Sequence, residues 1–534
     1  RKESMQIKNI RTILSVIIFS KLLLFCFSMQ SLERPIAVVI PSYNNAQWYK
    51  RNLQSVFMQQ YTNYRVIYID DCSHDGTYDL VEQYVKECNQ QERVLLFRNN
   101  ERKGALANHY RAVHLCADDE IVLNIDGDDW LKHEQVFTRI NQIYNDPEVW
   151  LTYGSYENYP SGRAGECSRP MPAAVRTYNA YREHTYITSH LRTFYAGLFK
   201  QIKLGDLLYE GQFIQASCDT AFMFPMLEMA SERAKYVNEV FYIYNQSSPH
   251  NHFRKGVLKQ LHMVHINRAR QKYKRLAQLA FTAKRSYEKQ KADIIILSEN
   301  NADQLQQLLI SIDSFVMNSG SIKIIYQADD EHNKSYNELK NIFVHVGWYK
   351  VNASNFKSAV LDAVNTGEQD YIMFIHDNMV INDAIDISSC VQLMQQSHAY
   401  GFFFSLGKNI TMHKQLTRMQ KQPPTVLLEK DVYAWKFHDG EFNWRLVHNM
   451  NMTLYHKNKI KHYLQDILFN SMHDLAVAWE KCAVNGEDVG LFFKHAKVEF
   501  NKQKNNHMQL TQQQELLFDE NQFLPCVETM QLSY

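Results

Sequence analysis

From Pro35 onward, short apolar runs alternate with stretches whose apolar positions recur every three or four residues. Ile36–Ile40 contains no polar residue and reads as a strand buried on both faces, ended by Pro41 and the turn-forming Ser42, Tyr43 and Asn44. Leu53, Val56, Phe57 and Tyr61 follow at helical spacing, and Val66–Ile69 makes a second strand. Ser73–Thr77 then offers N-cap residues for a helix carrying Leu80, Val81 and Tyr84. Val94–Phe97 and Ile121–Ile125 supply a third and a fourth strand. Strand–helix–strand repetition predicts right-handed crossovers and a mainly parallel sheet, the α/β class.

The pattern changes between about Val257 and Lys291, where Arg268, Arg270, Lys272, Lys274 and Arg275 concentrate positive charge. A solvated basic helix joining two domains is the plain expectation. The opening pattern then recurs. Ala292–Leu297 mirrors Ile36–Ile40, with Ser298–Asn301 where Pro41–Asn44 stood, and Leu305, Leu308, Leu309, Ile312 and Phe315 form a helical stripe. Ile322–Tyr326 precedes Asp329 and Asp330, and Tyr371–Ile375 precedes His376, Asp377 and Asn378. The expected organisation is a first α/β domain over 35–255, a basic helical linker over 256–290, a second and degenerate copy over 291–505, and a polar tail over 506–534.

The N-terminus departs from this plan. Ile13–Ser20 and Leu22–Phe27 form an apolar stretch interrupted by Lys21 and preceded by Lys2, Lys8 and Arg11. A basic segment before an apolar run shorter than the roughly 20 residues of a membrane span predicts a signal peptide over residues 1–31. A start at Met5 sharpens that pattern, and a short retained anchor that tolerates Lys21 is the alternative. Either reading makes the protein membrane-associated or exported, with the cytosolic face open to an anchored chain.

Composition narrows the classes further. The 534 residues are 45% hydrophobic and 22% charged, enough for large cores, and a formal net charge of +1 gives no field that would gather nucleic acid. The nine cysteines have no CxxC or zinc spacing, so they are expected to be free thiols.

Against this ordinary background stand two acidic clusters, each at the end of a predicted strand. Asp70 and Asp71 follow Tyr64–Ile69, and Asp126, Asp128 and Asp129 surround Gly127 after Glu120–Ile125. Carboxylates this close repel unless a cation or a donor-rich ligand sits among them. In an open α/β sheet ligands bind beyond the carboxyl ends of the strands, where both clusters fall. A departing diphosphate needs its growing charge neutralised, and a hard divalent ion with one or two carboxylate ligands can do this. One of Asp70 and Asp71 could accept from a base N–H while its neighbour caps the next helix; Asp75 reads equally as a turn residue or a ligand.

These motifs resemble family 2 glycosyltransferases of the GT-A fold, over roughly Pro35 to Asn245. Ile36–Asn44 is similar to the family's opening strand and nucleotide-binding turn, Tyr68–Thr77 to its second strand with paired acids, and Asn124–Asp129 to its D-x-D element. The resemblance implies a GT-A fold, Rossmann-like, followed by a second GT-A-like domain. Pro41, Ser42, Tyr43, Asn44, Asp70, Asp71, Asp126 and Gly127 would bind the nucleotide-sugar, with Lys103 and Gly104 near the pyrophosphate. Asp126 and Asp128 would hold the metal, Mn²⁺ or Mg²⁺. The family's usual Ala-Arg-Asn reads Ala107-Asn108-His109 here. Downstream, Asp219 precedes the apolar Ala221–Met226 where the family has an acid opening a helix; Cys218 replaces the first acid of the usual pair.

A carboxylate at Asp219 could deprotonate an acceptor hydroxyl for in-line attack with inversion. The plain alternative is that it caps a helix. Glu228 lies too far along the same stretch to share the role. His190, Arg192 and Tyr195 are acceptor-side candidates, because aromatic faces with a guanidinium suit sugars and phosphates; Leu191, Phe194 and Leu198 among them look like a core stripe. Tyr153, Tyr156 and Tyr159 are expected at the mouth of the cleft. The expected partners are a nucleotide-diphosphate sugar and a glycan, lipid-linked or protein acceptor. In the second copy, His376 and Asp377 make a thin metal site and Glu487-Asp488 only superficially resembles a base motif; Trp435, Phe437, Phe442 and Trp444 are expected in its core. Two rivals stay open: a binding protein on the same fold without turnover, and a nucleotidyltransferase. The second would carry a Gly-rich basic phosphate loop, which Pro41–Asn44 is not.

Overall fold

The computed structural model describes residues 33–248, 256–281, 289–413, 418–486 and 488–500. The predicted leader, the polar tail and Glu487 lie outside these residues. The first half contains β1 (Ile36–Ser42), α1 (Tyr49–Phe57), β2 (Tyr64–Asp70), α2 (Thr77–Glu87), β3 (Val94–Arg98), α3 (Ala105–His114), β4 (Ile121–Asn124), β5 (Trp130–Leu131), β6 (Leu151–Tyr159), β7 (Arg192–Tyr195), α4 (Cys218–Ala230) and β8 (Ala234–Asn245). Its sheet runs β3-β2-β1-β4-β7-β6-β8-β5. The first four strands are parallel, as the alternating pattern predicts; β7 and β5 are antiparallel to their neighbours, so the sheet is mixed.

Every residue of β1 is buried, which explains its unbroken apolar run: helices cover both faces of a central parallel strand. Leu53 and Val56 of α1 and Val81 and Val85 of α2 are the buried positions of amphipathic helices. In contrast, α4 is buried from Thr220 to Ala230 all round. Registers bring the ends together: Ser42 pairs with Asp70, Val39 with Asn124, and Asn124 with Arg192.

The second half contains β9 (Ala292–Glu299), β10 (Ser319–Gln327), β11 (Gly347–Lys350), β12 (Tyr371–His376), β13 (Gly401–Phe403), β14 (Val426–Glu429), β15 (Val432–Lys436), β16 (Asn451–His456) and β17 (Val489–Phe493). Its sheet runs β11-β10-β9-β12-β16-β13-β17-β15-β14. The first seven strands of this order repeat those of the first half. β10, β9 and β12 stand for β2, β1 and β4, and β16 is antiparallel between β12 and β13 as β7 is between β4 and β6; β13 and β17 are parallel like β6 and β8. Trp435, Phe437 and Trp444 are buried in its core. Asp488 lies at the start of β17, the end of the sheet opposite to His376 and Asp377, so it cannot serve as a base beside them. The halves touch through His398, whose Nε2–H donates to the Lys200 carbonyl at 2.7 Å, and through Tyr110, which donates to the Gln396 carbonyl at 3.3 Å.

The linker corrects the sequence reading. Among the described residues of the linker only Val257–Ala269 is helical; the chain turns extended at Arg270, and Arg270, Lys272 and Arg275 then contact the first half. Arg270 donates to the Gly205 and Leu208 carbonyls, Arg275 to that of Thr177, and the Leu276 N–H to that of Met229. Guanidinium groups can satisfy carbonyls that end strands and helices, so the charge here serves docking rather than solvation. Beneath the segment, Arg182 and Glu228 form a bidentate ion pair at 2.6 and 2.9 Å with side chains 3% and 0% exposed, and the Tyr273 N–H donates to Glu228 at 2.9 Å. The seven cysteines among the described residues are free thiols; Cys26 and Cys526 lie outside them. No helix among the described residues is long and apolar enough to cross a membrane.

Candidate active site

The end of β1 is a junction. The Ser42 hydroxyl accepts from the Tyr68 hydroxyl at 2.8 Å and from Asn45 Nδ2 at 3.0 Å, and the Asp71 N–H donates to the Ser42 carbonyl at 2.8 Å. The following turn is clasped to the Ser73–Thr77 loop: the Asn44 N–H donates to Ser73 Oγ, the Asn45 N–H to Thr77 Oγ1 and the Ala46 N–H to Asp75 Oδ2. Asp75 also accepts from the Thr77 N–H at the start of α2. It is the turn residue here, and neither Asp70 nor Asp71 caps that helix.

The paired acids divide their work in a way their sequence does not reveal. Asp71 accepts from Asn99 Nδ2 and from the Lys103 and Gly104 N–H groups, each at 2.8 Å, and so anchors the loop that leads into α3. That loop needs glycine at 104: its φ is +91°, and a Cβ there would meet Gln215 Oε1 at 2.4 Å. Asp70 is buried, accepts from the Ser73 N–H at 3.0 Å through Oδ2, and keeps Oδ1 buried without a partner. An unpaired carboxylate oxygen is the feature that a donor-bearing ligand would satisfy. Lys103 pairs with Glu101, while the Arg102 guanidinium lies 3.9 Å over the Tyr43 ring. Arg102 is a functional candidate missed in the sequence, where only Lys103 matched a motif.

On the other side of Ser42 sits the second acidic cluster. A Cβ on Gly127 would lie 2.6 Å from Asn45 Nδ2 and 2.7 Å from Ser42 Oγ, so only glycine lets this loop close onto the β1 turn. Burial first, then the charges of Asp70, Asp75 and Asp128, raises the Tyr68 hydroxyl, against its hydrogen bond to Ser42. The loop is held from behind. Asn52 Nδ2 donates to the Asp126 and Asp129 carbonyls, and Asn245 Nδ2 to that of Asp128. The Asp129 carboxylate accepts from the Tyr242 hydroxyl and the Asn245 N–H, both at 2.7 Å, so Asp129 is a brace and Asp126 and Asp128 are the outward acids. Asn52, Tyr242 and Asn245 escaped sequence reasoning; the only signal was a polar residue on the apolar face of α1.

Three charged groups meet beside this loop. Burial, then the neighbouring Asp128, pushes Asp126 up to about 6, with Arg192 opposing and Asp219 adding to the shift. Arg192, buried at the start of β7 opposite Asn124, donates to Asp219 Oδ2 at 3.1 Å. Asp219, in the first turn of α4, also accepts from the Thr220 N–H through Oδ1 at 3.0 Å. Excess negative charge on two hard oxygen donors fits a divalent cation, although no group of three or more metal-competent side chains occurs among the described residues. Phosphate oxygens and water would have to complete its shell.

The other acceptor-side candidates separate. His190 is buried and stacks on Tyr242 at 4.4 Å, and its burial holds the ring neutral; it packs behind the brace rather than opening to a ligand. Tyr195 stands at the far end of β7, paired with Ile121, with its ring against Tyr144, and belongs to the core. Tyr153 is likewise core, its hydroxyl accepting from the Met171 N–H. Tyr156 and Tyr159 are partly exposed, and Tyr159 packs edge-on to Trp130 beside Asp129. His109 is buried against Phe222, and desolvation lowers it to about 3, so it supplies packing, whereas Asn108 Oδ1 accepts from Asn99 Nδ2 at 2.8 Å.

Residues 37–202 match the profile of the family described as glycosyl transferase family 2. Residues 37–202 thus carry a glycosyl transferase family 2 domain. The chain is 32% identical over 101 residues to the putative teichuronic acid biosynthesis glycosyltransferase TuaG of Bacillus subtilis, covering 19% of this chain and 38% of that protein. It is 30% identical over 139 residues to the putative colanic acid biosynthesis glycosyl transferase WcaA of Escherichia coli, covering 23% and 48%. The chain thus spans less than half the length of these relatives. Among solved structures, S. aureus TarS 1-349 in complex with UDP-GlcNAc aligns with a TM-score of 0.34 and 15% identity, over 44% of this chain and 66% of that one. The matched residues take in both acidic clusters and Arg192, and end before Asp219.

Proposed function

We propose that the protein is a metal-dependent, inverting glycosyltransferase that moves a sugar from a nucleotide-diphosphate donor to an acceptor hydroxyl. The convergence of Asp126, Arg192 and Asp219 at the end of β4 carries this reading. The nucleoside would lie against the β1 turn, with Asp70 Oδ1 accepting a base N–H and Arg102 and Tyr43 flanking it. Asp126 and Asp128 would hold a divalent ion, whose chemistry is to neutralise charge on the leaving diphosphate. Asp219 would take the proton of the acceptor hydroxyl, and Arg192 would fix the orientation of that carboxylate. With the base on α4 and the diphosphate at the acidic loop, attack and departure would fall on opposite sides of the anomeric carbon, the arrangement that inversion requires.

Thermal unfolding with nucleoside diphosphates tests the donor half of the reading. A nucleotide at 100 times its Kd should stabilise the protein by about 2.7 kcal/mol, and the shift should need Mn²⁺ or Mg²⁺. A Tm that no nucleotide raises in the presence of either ion would favour a binding protein that has kept the fold.

A further inference from the structure

The linker helix Val257–Ala269 (α5) carries apolar residues on two opposite sides. One side closes onto the first half through the buried Met263 and Asn267. Here the Gln260 carbonyl accepts from the Ser217 hydroxyl at 3.2 Å, and Asn267 Nδ2 donates to Thr220 Oγ1 at 2.8 Å, so α5 braces the start of α4. The other side is uncovered: Val257, Leu258 and Leu261 are 52%, 83% and 60% exposed. Leu261 lies three positions from Leu258 and four from Val257, so the three side chains adjoin in one strip. A single exposed leucine is ordinary, but a helix that is apolar on opposite sides is normally covered on both. We propose that this ridge docks the protein on an anionic lipid surface, with α5 lying in the plane of the interface.

Charge selects that occupant. Residues 256–281 hold six Lys and Arg residues and no Asp or Glu. Lys272 pairs with Glu183 at 2.7 Å, and Arg270 approaches Asp206 at 3.5 Å. Lys259, exposed next to Leu258, adds its charge to those of Arg268, Lys274 and Arg275. Arg268 donates to the Arg182 carbonyl and Arg275 to that of Thr177, contacts that satisfy donors and leave the positive charge in place. Against these stands Glu210, next to Tyr209, whose hydroxyl meets His262 Nε2 at 3.2 Å. The balance stays positive. An apolar ridge flanked by cations suits a helix in a membrane interface, where aliphatic side chains enter the headgroup boundary and cations meet lipid phosphates. At 13 residues α5 is too short to span a bilayer and can only lie along one. A soluble polyanion would use the cations and leave the ridge idle, and a second copy of this chain would set like charge against like. The docking rests on no catalytic assignment. It would put the lipid surface on the Asp219 side of the first half, about 10 Å from the start of α4, the width of one helix.

The test uses the full chain and vesicles of equimolar phosphatidylglycerol and phosphatidylcholine. The apolar stretch Ile13–Phe27 offers lipid a contact of its own, so the readout is local to α5. These vesicles should slow hydrogen exchange in peptides covering 257–269, and vesicles of phosphatidylcholine alone should do so far less at the same lipid concentration. Leu258→Gln combined with Leu261→Gln changes two exposed positions to a residue that helices accept. It should abolish the protection and leave the Tm of the lipid-free chain unchanged. Lys259→Gln should raise the lipid concentration needed for half-protection several-fold at low salt and by less at high salt. The proposal is overturned if mixed vesicles leave the 257–269 peptides unprotected, if phosphatidylcholine alone protects them equally, or if the double variant is protected like the parent. It is also overturned if the lipid-free parent is a dimer that the double variant turns monomeric, which would make the ridge a contact between copies.

Discussion

Asp219→Asn is expected to lower kcat by about 10²–10⁴-fold, the range for loss of a general base, while KM for the donor stays close to that of the parent. Asparagine keeps the size of the side chain, and its single oxygen can still accept from the Thr220 N–H while the contact to Arg192 is lost, so the start of α4 should hold. Asp128→Ala should behave differently: the metal loses a ligand, the Mn²⁺-dependent Tm shift with nucleotide disappears, and turnover falls with donor affinity. Measuring kcat and donor KM for both variants, with circular dichroism as the control for folding, separates base from ligand. Parent-like turnover in Asp219→Asn would remove Asp219 from the mechanism and leave it as a residue of the helix start.

The largest effect on stability is expected at Glu228. Removing one partner of a buried ion pair leaves the other charge uncompensated, and Glu228→Ala should cost about 3–5 kcal/mol. Denaturant unfolding would read this as a fall in midpoint of about 1–3 M urea, at the usual dependence for domains of moderate size. Adding Arg182→Met should recover part of the loss, since an apolar pair is often no worse than a buried ionic one. Recovery should stay incomplete, because the Tyr273 N–H and the Asn267 carbonyl would still lack their partners. A double-mutant cycle with no coupling between 182 and 228 would contradict this account.

The strand runs and the two acidic clusters were legible in the residues because a buried parallel strand leaves an unbroken apolar signature and carboxylates at its end stand out against it. What could not be read is which end of β7 meets the site. All four residues of β7 are buried, so periodicity says nothing, and only the antiparallel pairing of Asn124 with Arg192 separates Arg192 from Tyr195. Asp70 and Asp71 look alike in sequence; the fold of the 99–104 loop makes one an anchor and leaves the other with an unpaired oxygen. His190 is polar in sequence and packs as an aromatic slab. The basic stretch misled because a count of charges cannot distinguish a solvated helix from a chain whose guanidinium groups find carbonyls. Glu487-Asp488 misled for a topological reason, since a motif in the right order along the chain falls at the wrong end of a strand.

The extended run from Arg270 to Leu276 also decides where the molecule can be shortened. Composition alone suggests cutting after residue 255, but that fragment would expose the Arg182–Glu228 pair and strip the Met229 carbonyl of its donor. A fragment of residues 33–281 keeps both. It should melt at a clearly higher temperature than one of residues 33–255, and equal melting points would show that the run is a passenger on the first sheet.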